Sequence, residues 1–238
     1  MRGSHGASGA CPRLLLFDID GTLLSCGPQV RPLFAEALVE VFGTTGDVER
    51  YDFAGKMDPQ IVFDLMTGAG LPEERVRREI PRVRDLYASR LEAGLRPEAM
   101  RLMPGVGELL ARLAARRGPA VGLLTGNWQR GARAKLARFD LNRHFPFGAF
   151  GDDAMDRRDL VPAALERAGR AAGGPVRPEE VLIIGDSVLD VACARAHGVP
   201  VLAVATGVTP AERLAAAGAD WVVGDLTEAE RLLPVLAG

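Results

Sequence analysis

Apolar positions in this chain follow two rhythms. Short unbroken apolar runs stand at 14–17, 121–124, 181–184 and 201–204, with weaker ones at 147–150 and 221–223. Such runs, bounded by turn residues, read as strands buried on both faces, as in a parallel sheet. Helical patterns separate and follow them. Leu109, Leu110 and Leu113 share one face of a helix expected over 106–117, and further helices are expected over 128–139, 210–217 and 227–236. Alternating strand and helix predicts an α/β chain with a Rossmann-like parallel sheet.

Between residues 28 and 101 the strand rhythm disappears. Leu33, Phe34, Ala37, Leu38 and Val41 lie at helical spacing over 32–42, ending at Gly43. Asp58-Pro59 opens a second helix with Ile61, Val62, Leu65 and Met66 on one face and Gly68 or Gly70 as its stop. A third helix starts at Leu71-Pro72-Glu73-Glu74 and runs to about Leu91, with a break expected near Pro81. The expected organisation is a flexible leader or tag remnant at 1–10, a core built from 11–24 and 103–238, and a helical domain inserted at 25–102.

The chemistry sits where strands end. Asp18 and Asp20 follow the first strand two residues apart, so both lean to one side of it. Gly21 lets the chain turn sharply, which leaves an acidic pit at the carboxyl end of a strand, where open α/β sheets bind ligands. Two close carboxylates stay ionised most cheaply around a divalent cation, and oxygen-only ligands suit Mg²⁺. A metal-neutralised aspartate can also serve as a nucleophile. Thr125-Gly126-Asn127 ends the strand at 121–124 just before a helix, placing a hydroxyl and backbone N–H groups where a phosphate oxygen would sit. Gly185-Asp186-Ser187-Val188-Leu189-Asp190 follows the strand at 181–184. Each stretch alone also reads as an ordinary polar turn; their order along the chain is what joins them into a site.

Composition narrows the classes. At 238 residues, one large or two unequal domains are expected. The net charge of −2, the scarcity of aromatic residues and the lack of a basic tract argue against nucleic acid as a partner. No stretch approaches the length of a membrane span, and residues 1–10 lack the apolar region of a signal peptide. Cys11, Cys26 and Cys193 form no C-x-x-C pair and read as reduced thiols of a cytoplasmic protein. His144, His197 and Trp128 read as packing, loop or cap residues.

Asp18-Ile19-Asp20-Gly21-Thr22 after an apolar strand resembles the first motif of the haloacid dehalogenase superfamily, most of whose members are Mg²⁺-dependent phosphatases. Thr125 stands where its second motif would, and Gly185 to Asp190 is similar to its G-D-S-x-x-D. The resemblance implies that Asp18 is nucleophile and metal ligand. It makes Asp20 the acid and base, and a metal ligand through its backbone carbonyl, with Asp186 completing the metal shell. Gly21, Thr22, Ser187 and Asp190 then support the site. Thr125, Gly126, Asn127 and a cation hold the phosphoryl oxygens. That cation is usually a lysine before a helix, but this chain has no lysine after Lys135; Arg158 is the expected stand-in, with Arg157 next. The inserted helices would form a cap that covers the site and selects the substrate. Gly55-Lys56-Met57-Asp58 is similar to the G-K-T-D segment of phosphoglycolate-phosphatase-like members, so Lys56 is a candidate substrate contact, or else a surface lysine. The expected activity is Mg²⁺-dependent hydrolysis of a small-molecule phosphate monoester by a monomer or homodimer. A phosphosugar mutase of the β-phosphoglucomutase kind and a weakly catalytic binding protein remain as alternatives.

Overall fold

The computed structural model describes residues 12–115 and 118–228. The expected leader, Cys11, the end of the helix expected at 106–117 and nearly all of the helix expected at 227–236 lie outside the described residues. In chain order, β1 (Leu14–Phe17) is followed by β2 (Leu24–Ser25), α1 (Val30–Phe42), α2 (Asp58–Gly68), α3 (Glu73–Gly94) and β3 (Arg101–Leu102). Then come α4 (Val106–Ala115), β4 (Ala120–Leu124), α5 (Gln129–Ala137), β5 (Gly148–Ala149) and α6 (Leu160–Ala172). The chain continues through β6 (Val181–Gly185), α7 (Val188–Ala196), β7 (Val201–Val204), α8 (Ala211–Ala216) and β8 (Trp221–Val223).

Leu14-Leu15-Leu16-Phe17 has no polar position on either face, and it takes the one place where neither face needs one, the middle of a parallel sheet. The strand order is β5-β4-β1-β6-β7-β8. In register, Phe17 lies beside Leu123 on one side and Ile184 on the other. Side-chain alternation then builds two cores. Leu15 and Phe17 join Leu123, Leu182 and Ile184 on one face, beneath Leu109, Leu110 and Leu113 of α4. Leu14 and Leu16 join Leu124, Val181 and Ile183 on the other, against Leu160 and Val161 of α6 and Val191 of α7. Each fully buried apolar side chain contributes about 1.5–3 kcal/mol. This register brings the carboxyl ends of β1, β4 and β6 side by side.

The insertion leaves and returns through β2 and β3, which pair antiparallel with Leu24 opposite Leu102. Its helices pack on one another and on the core through an aromatic seam. Trp128, at the start of α5, stacks on Phe34 of α1 with ring centroids 6.4 Å apart and meets Tyr87 of α3 edge-on at 6.2 Å. The break expected near Pro81 does not occur: α3 runs unbroken for 22 residues. Pro81 faces solvent while Val76, Val83, Tyr87 and Leu91 bury the opposite face, so packing holds the helix across the missing N–H. Among the described residues, no helix is long and apolar enough to cross a membrane. Cys26 and Cys193 are buried free thiols.

Candidate active site

Asp18 is the first residue past β1, and its N–H still bonds the Ile184 carbonyl at 2.9 Å. Its carboxylate is buried beside those of Asp186 and Asp190, with one oxygen from each lying within 4.8 Å of the others. Gly21 turns the chain at φ 85°, and a Cβ there would fall 2.4 Å from an Asp186 oxygen, so both the turn and the close approach require glycine. Thr22 donates from Oγ1 to Asp186 Oδ1 at 3.0 Å. Ser187 caps α7 reciprocally with Asp190: the Asp190 Oδ2 accepts from the Ser187 N–H at 3.0 Å and from its Oγ at 2.6 Å.

The cation facing Asp18 is Arg157, not Arg158. Arg157 Nη2 lies 3.2 Å from Asp18 Oδ1 and 2.5 Å from Asp190 Oδ1. The same guanidinium bonds the Leu124 carbonyl at 3.2 Å and, through Nη1, the Gly55 carbonyl of the insertion at 2.9 Å. Arg158 points away. Asp156 caps the turn by accepting from the Arg158 N–H, and its carboxylate also takes the Arg158 guanidinium, whose side chain is 63% exposed. The cap thus turns the second arginine outward and its neighbour inward.

Burial raises the proton affinity of this cluster. Asp18 is pushed up to about 6 by desolvation, against the pull of Arg157. Asp186 rises to about 8, again by burial first and then by repulsion from Asp18 and Asp190, with Thr22 and Arg157 opposing.

A second cluster lies beside the first, at the end of β4. Thr125 is fully buried, and its Oγ1 accepts from Asn127 Nδ2 at 2.8 Å. The same Nδ2 reaches Asp20 Oδ2 at 2.8 Å, and Asn127 Oδ1 accepts from Lys135 Nζ at 2.6 Å. Lys135 in turn bonds Asp20 Oδ2 at 2.6 Å. The Asn127 side chain is therefore engaged on both of its polar atoms rather than turned to a phosphate. Asp20 turns its carboxylate to Lys135 and Asn127, outside the Asp18–Asp186–Asp190 group, so its carboxylate is no part of that donor set. Sequence reasoning missed Lys135. The readable signal was its place three and four residues after Ala132 and Gly131, on the small, buried face of α5.

The insertion closes over both clusters. Gly126 accepts at its carbonyl from the Asp58 N–H at 2.8 Å, and a Cβ on Gly126 would meet the Lys56 carbonyl at 2.1 Å. Here, too, the glycine serves close backbone approach. Lys56 lines the resulting cavity of about 710 Å³, together with Asp18, Asp20, Thr125 and Arg157. Its ammonium, however, lies over the Tyr51 ring, 3.9 Å from the centroid, and 3.9 Å from Asp64 Oδ2.

Asp58 was readable as the start of α2, yet its carboxylate caps a different helix, accepting from the Trp128 N–H at 2.9 Å. Burial raises it from 3.8 to about 7, opposed by Lys135 and the Trp128 bond. Its folded value lies above the unfolded one, so its contribution is complete below pH 3.8 and lost as pH rises through about 7. Asp58→Asn keeps an acceptor without the charge. Relative to wild type, it should gain about 2–4 kcal/mol of stability between pH 5 and pH 8, read from urea unfolding at both pH values. A gap that does not change with pH would refute this.

A family model for haloacid dehalogenase-like hydrolases matches residues 12–198. The chain belongs to the haloacid dehalogenase-like hydrolase family. Among curated relatives, a phosphoglycolate phosphatase of Synechococcus elongatus is 30% identical over 88% of this chain and 91% of its own length. Another, of Pseudomonas syringae pv. tomato, is 28% identical over 95% of this chain and 80% of its own. A crystal structure of a predicted phosphatase from Clostridium acetobutylicum superposes with a TM-score of 0.71 at 21% identity, covering 94% of this chain and 98% of that one. The α/β core is accordingly the Rossmann-like core of the haloacid dehalogenase fold, and the chain is a hydrolase of the phosphatase kind.

Members of this family generally use Mg²⁺, and the donor set here fits such an ion. Asp18 and Asp186 offer only carboxylate oxygens, are buried, and repel each other in the absence of a cation. Glycines cradle Asp186, since a Cβ on Gly207 would fall 1.7 Å from Asp186 Oδ2 and one on Gly21 2.4 Å from the same oxygen. Asp190 differs, because Arg157 and Ser187 already occupy its two oxygens.

Proposed function

We propose that this protein is an Mg²⁺-dependent phosphatase that hydrolyses a small-molecule phosphate monoester through a phosphorylated Asp18. The observation that carries the reading is the meeting of a buried carboxylate, a buried guanidinium and a second carboxylate of different environment in one cavity, at the ends of β1 and β4. Asp18 is the nucleophile, in line with a phosphorus held over β1. Arg157 and Thr125 hold the transferring oxygens, and Arg157 keeps Asp18 oriented. Asp20 gives a proton to the departing alcohol, then takes one from the water that opens the aspartyl-phosphate. Asp18, Asp186 and the Asp20 backbone carbonyl would hold Mg²⁺, which when bound neutralises charge on the phosphoryl oxygens. Asp190 acts through Arg157 and the α7 cap, as a brace.

Residues 25–102 act as the cap that shuts water out, and the Gly55 and Asp58 contacts to the core are its closed-state latches. Lys56, at the rim, remains the candidate for the rest of the substrate, released from Tyr51 when an anion enters. The buried free thiols fit a reducing, cytoplasmic setting. The relatives named above make 2-phosphoglycolate the first ester to test. Phosphate release from a panel of alkyl and sugar phosphates, with Mg²⁺ and with EDTA, decides the matter. Metal-dependent release from at least one ester is expected; none from any, with or without metal, would sink the reading.

A further inference from the structure

A lysine ammonium with its side chain 3% exposed is rare, since burying it costs several kcal/mol unless its partners repay that cost. Lys135 donates to two acceptors, Asp20 Oδ2 and Asn127 Oδ1, each at 2.6 Å. Asn127 closes the triangle by donating from Nδ2 to the same Asp20 oxygen at 2.8 Å. Asp20 itself is 43% exposed, so without these bonds its side chain would have room to turn. Among the described residues, both grips fall on Oδ2 and none on Oδ1. The arrangement fixes the rotamer by one oxygen and leaves the other for the cavity, which Asp20 lines.

We infer that Lys135 is a positioning residue: with Asn127 it clamps Asp20 Oδ2 so that Asp20 Oδ1 is the oxygen that exchanges a proton with the leaving alcohol. The inference rests on the phosphatase reading above. In the first half-reaction, an Asp18 oxygen bonds phosphorus and the bond from phosphorus to the ester oxygen breaks. The electron pair stays on that oxygen, which takes the proton from Asp20 Oδ1 and departs as alcohol. An alkoxide is a poor leaving group and needs that proton; a nitrophenolate leaves without it.

This difference separates positioning from a merely structural role. The quantity to read is kcat/KM, which covers only the steps up to departure of the alcohol, so the later opening of the aspartyl-phosphate does not enter. Mg²⁺-loaded wild type, Lys135→Met, Asp20→Asn and the double variant are assayed on the best alkyl phosphate and on 4-nitrophenyl phosphate. Lys135→Met should lose about 30- to 100-fold on the alkyl ester and less than about threefold on the nitrophenyl ester. In the double variant the alkyl loss should not exceed that of Asp20→Asn alone, because Lys135 acts through Asp20. Should Lys135→Met not fold, Lys135→Gln and Asn127→Ala, which loosen the same clamp, must give the same split between esters. Equal losses on both esters, or multiplicative losses in the double variant, would overturn the inference and leave Lys135 as a counter-ion. A wild type silent on every ester would instead overturn the phosphatase reading, and this inference with it.

Discussion

Asp18→Asn should turn over no ester measurably and yet unfold at a higher temperature than wild type in metal-free buffer at pH 8. The first half follows from the nucleophilic role proposed for it. The amide has the same shape but cannot form the acyl phosphate, and losing one member of a catalytic unit costs about 10⁴- to 10⁶-fold in kcat. The second half follows from burial. Asp18 is raised to about 6, with desolvation the leading cause and Asp190 and Asp20 adding to it, so at pH 8 its charge is held at a cost. Folded above unfolded means that its stabilising contribution is present at low pH and lost as pH climbs through about 6. The amide removes that loss and relieves Asp186, for which Asp18 is the largest neighbouring charge. Arg157 keeps its bond to Asp190, so the guanidinium is not stranded. Thermal melts in EDTA at pH 5 and pH 8 should show the gap opening with pH. Mg²⁺ should raise the melting temperature of wild type more than that of the variant. An inactive variant that melts well below wild type at pH 8 would mean that the bond to Arg157 outweighs the relief.

That double signature was half legible in the chain. The run Leu14 to Phe17 with no polar position fixed a central strand, and the two-residue spacing of Asp18 and Asp20 put both acids at its end. The order of motifs and the family resemblance suggested the places of Thr125 and Asp186, and the structure supplies the reason: β4 and β6 flank β1, so their ends lie beside its own. What stayed hidden depends on side-chain direction in short irregular segments. Arg157 and Arg158 are adjacent and chemically identical, and the bonds that Asp156 accepts from the Arg158 N–H and guanidinium hold that side chain outward. Asp58 carries the ordinary signal of a helix start, while its partner lies 70 residues away. Lys135 was legible in principle, as a charge on the small-residue face of α5. Without the sheet register, nothing told that face from a solvated one. Pro81 shows the opposite failure: a strong local breaker overruled by packing on the far side of its helix.

Arg157→Met should be the most destabilising single change in the site and should slow turnover strongly, though less than loss of Asp18's charge. The guanidinium is 5% exposed and serves two carboxylates and two carbonyls at once. Removing one partner of a buried ion pair leaves uncompensated charge and costs about 3–5 kcal/mol. Here two carboxylates are left, beside a third on Asp186. On the proposed mechanism, losing this donor to the transferring oxygens costs a further 10²- to 10³-fold, roughly, in kcat/KM. Arg157→Lys restores the charge but not the fork, since an ammonium at that depth reaches fewer of the four acceptors. It should recover most of the stability and only part of the rate, and the Gly55 carbonyl should be the acceptor it gives up, weakening the tie between the core and the inserted helices. Arg158→Ala supplies the control: its pair with Asp156 is solvent-exposed and screened, so its urea midpoint should stay that of wild type and its rate within about twofold. Urea unfolding and phosphate release on the three variants together assign the cation. If Arg158→Ala proved as harmful as Arg157→Met, the inward arginine would not be the working one, and the geometry around Asp18 would need another explanation.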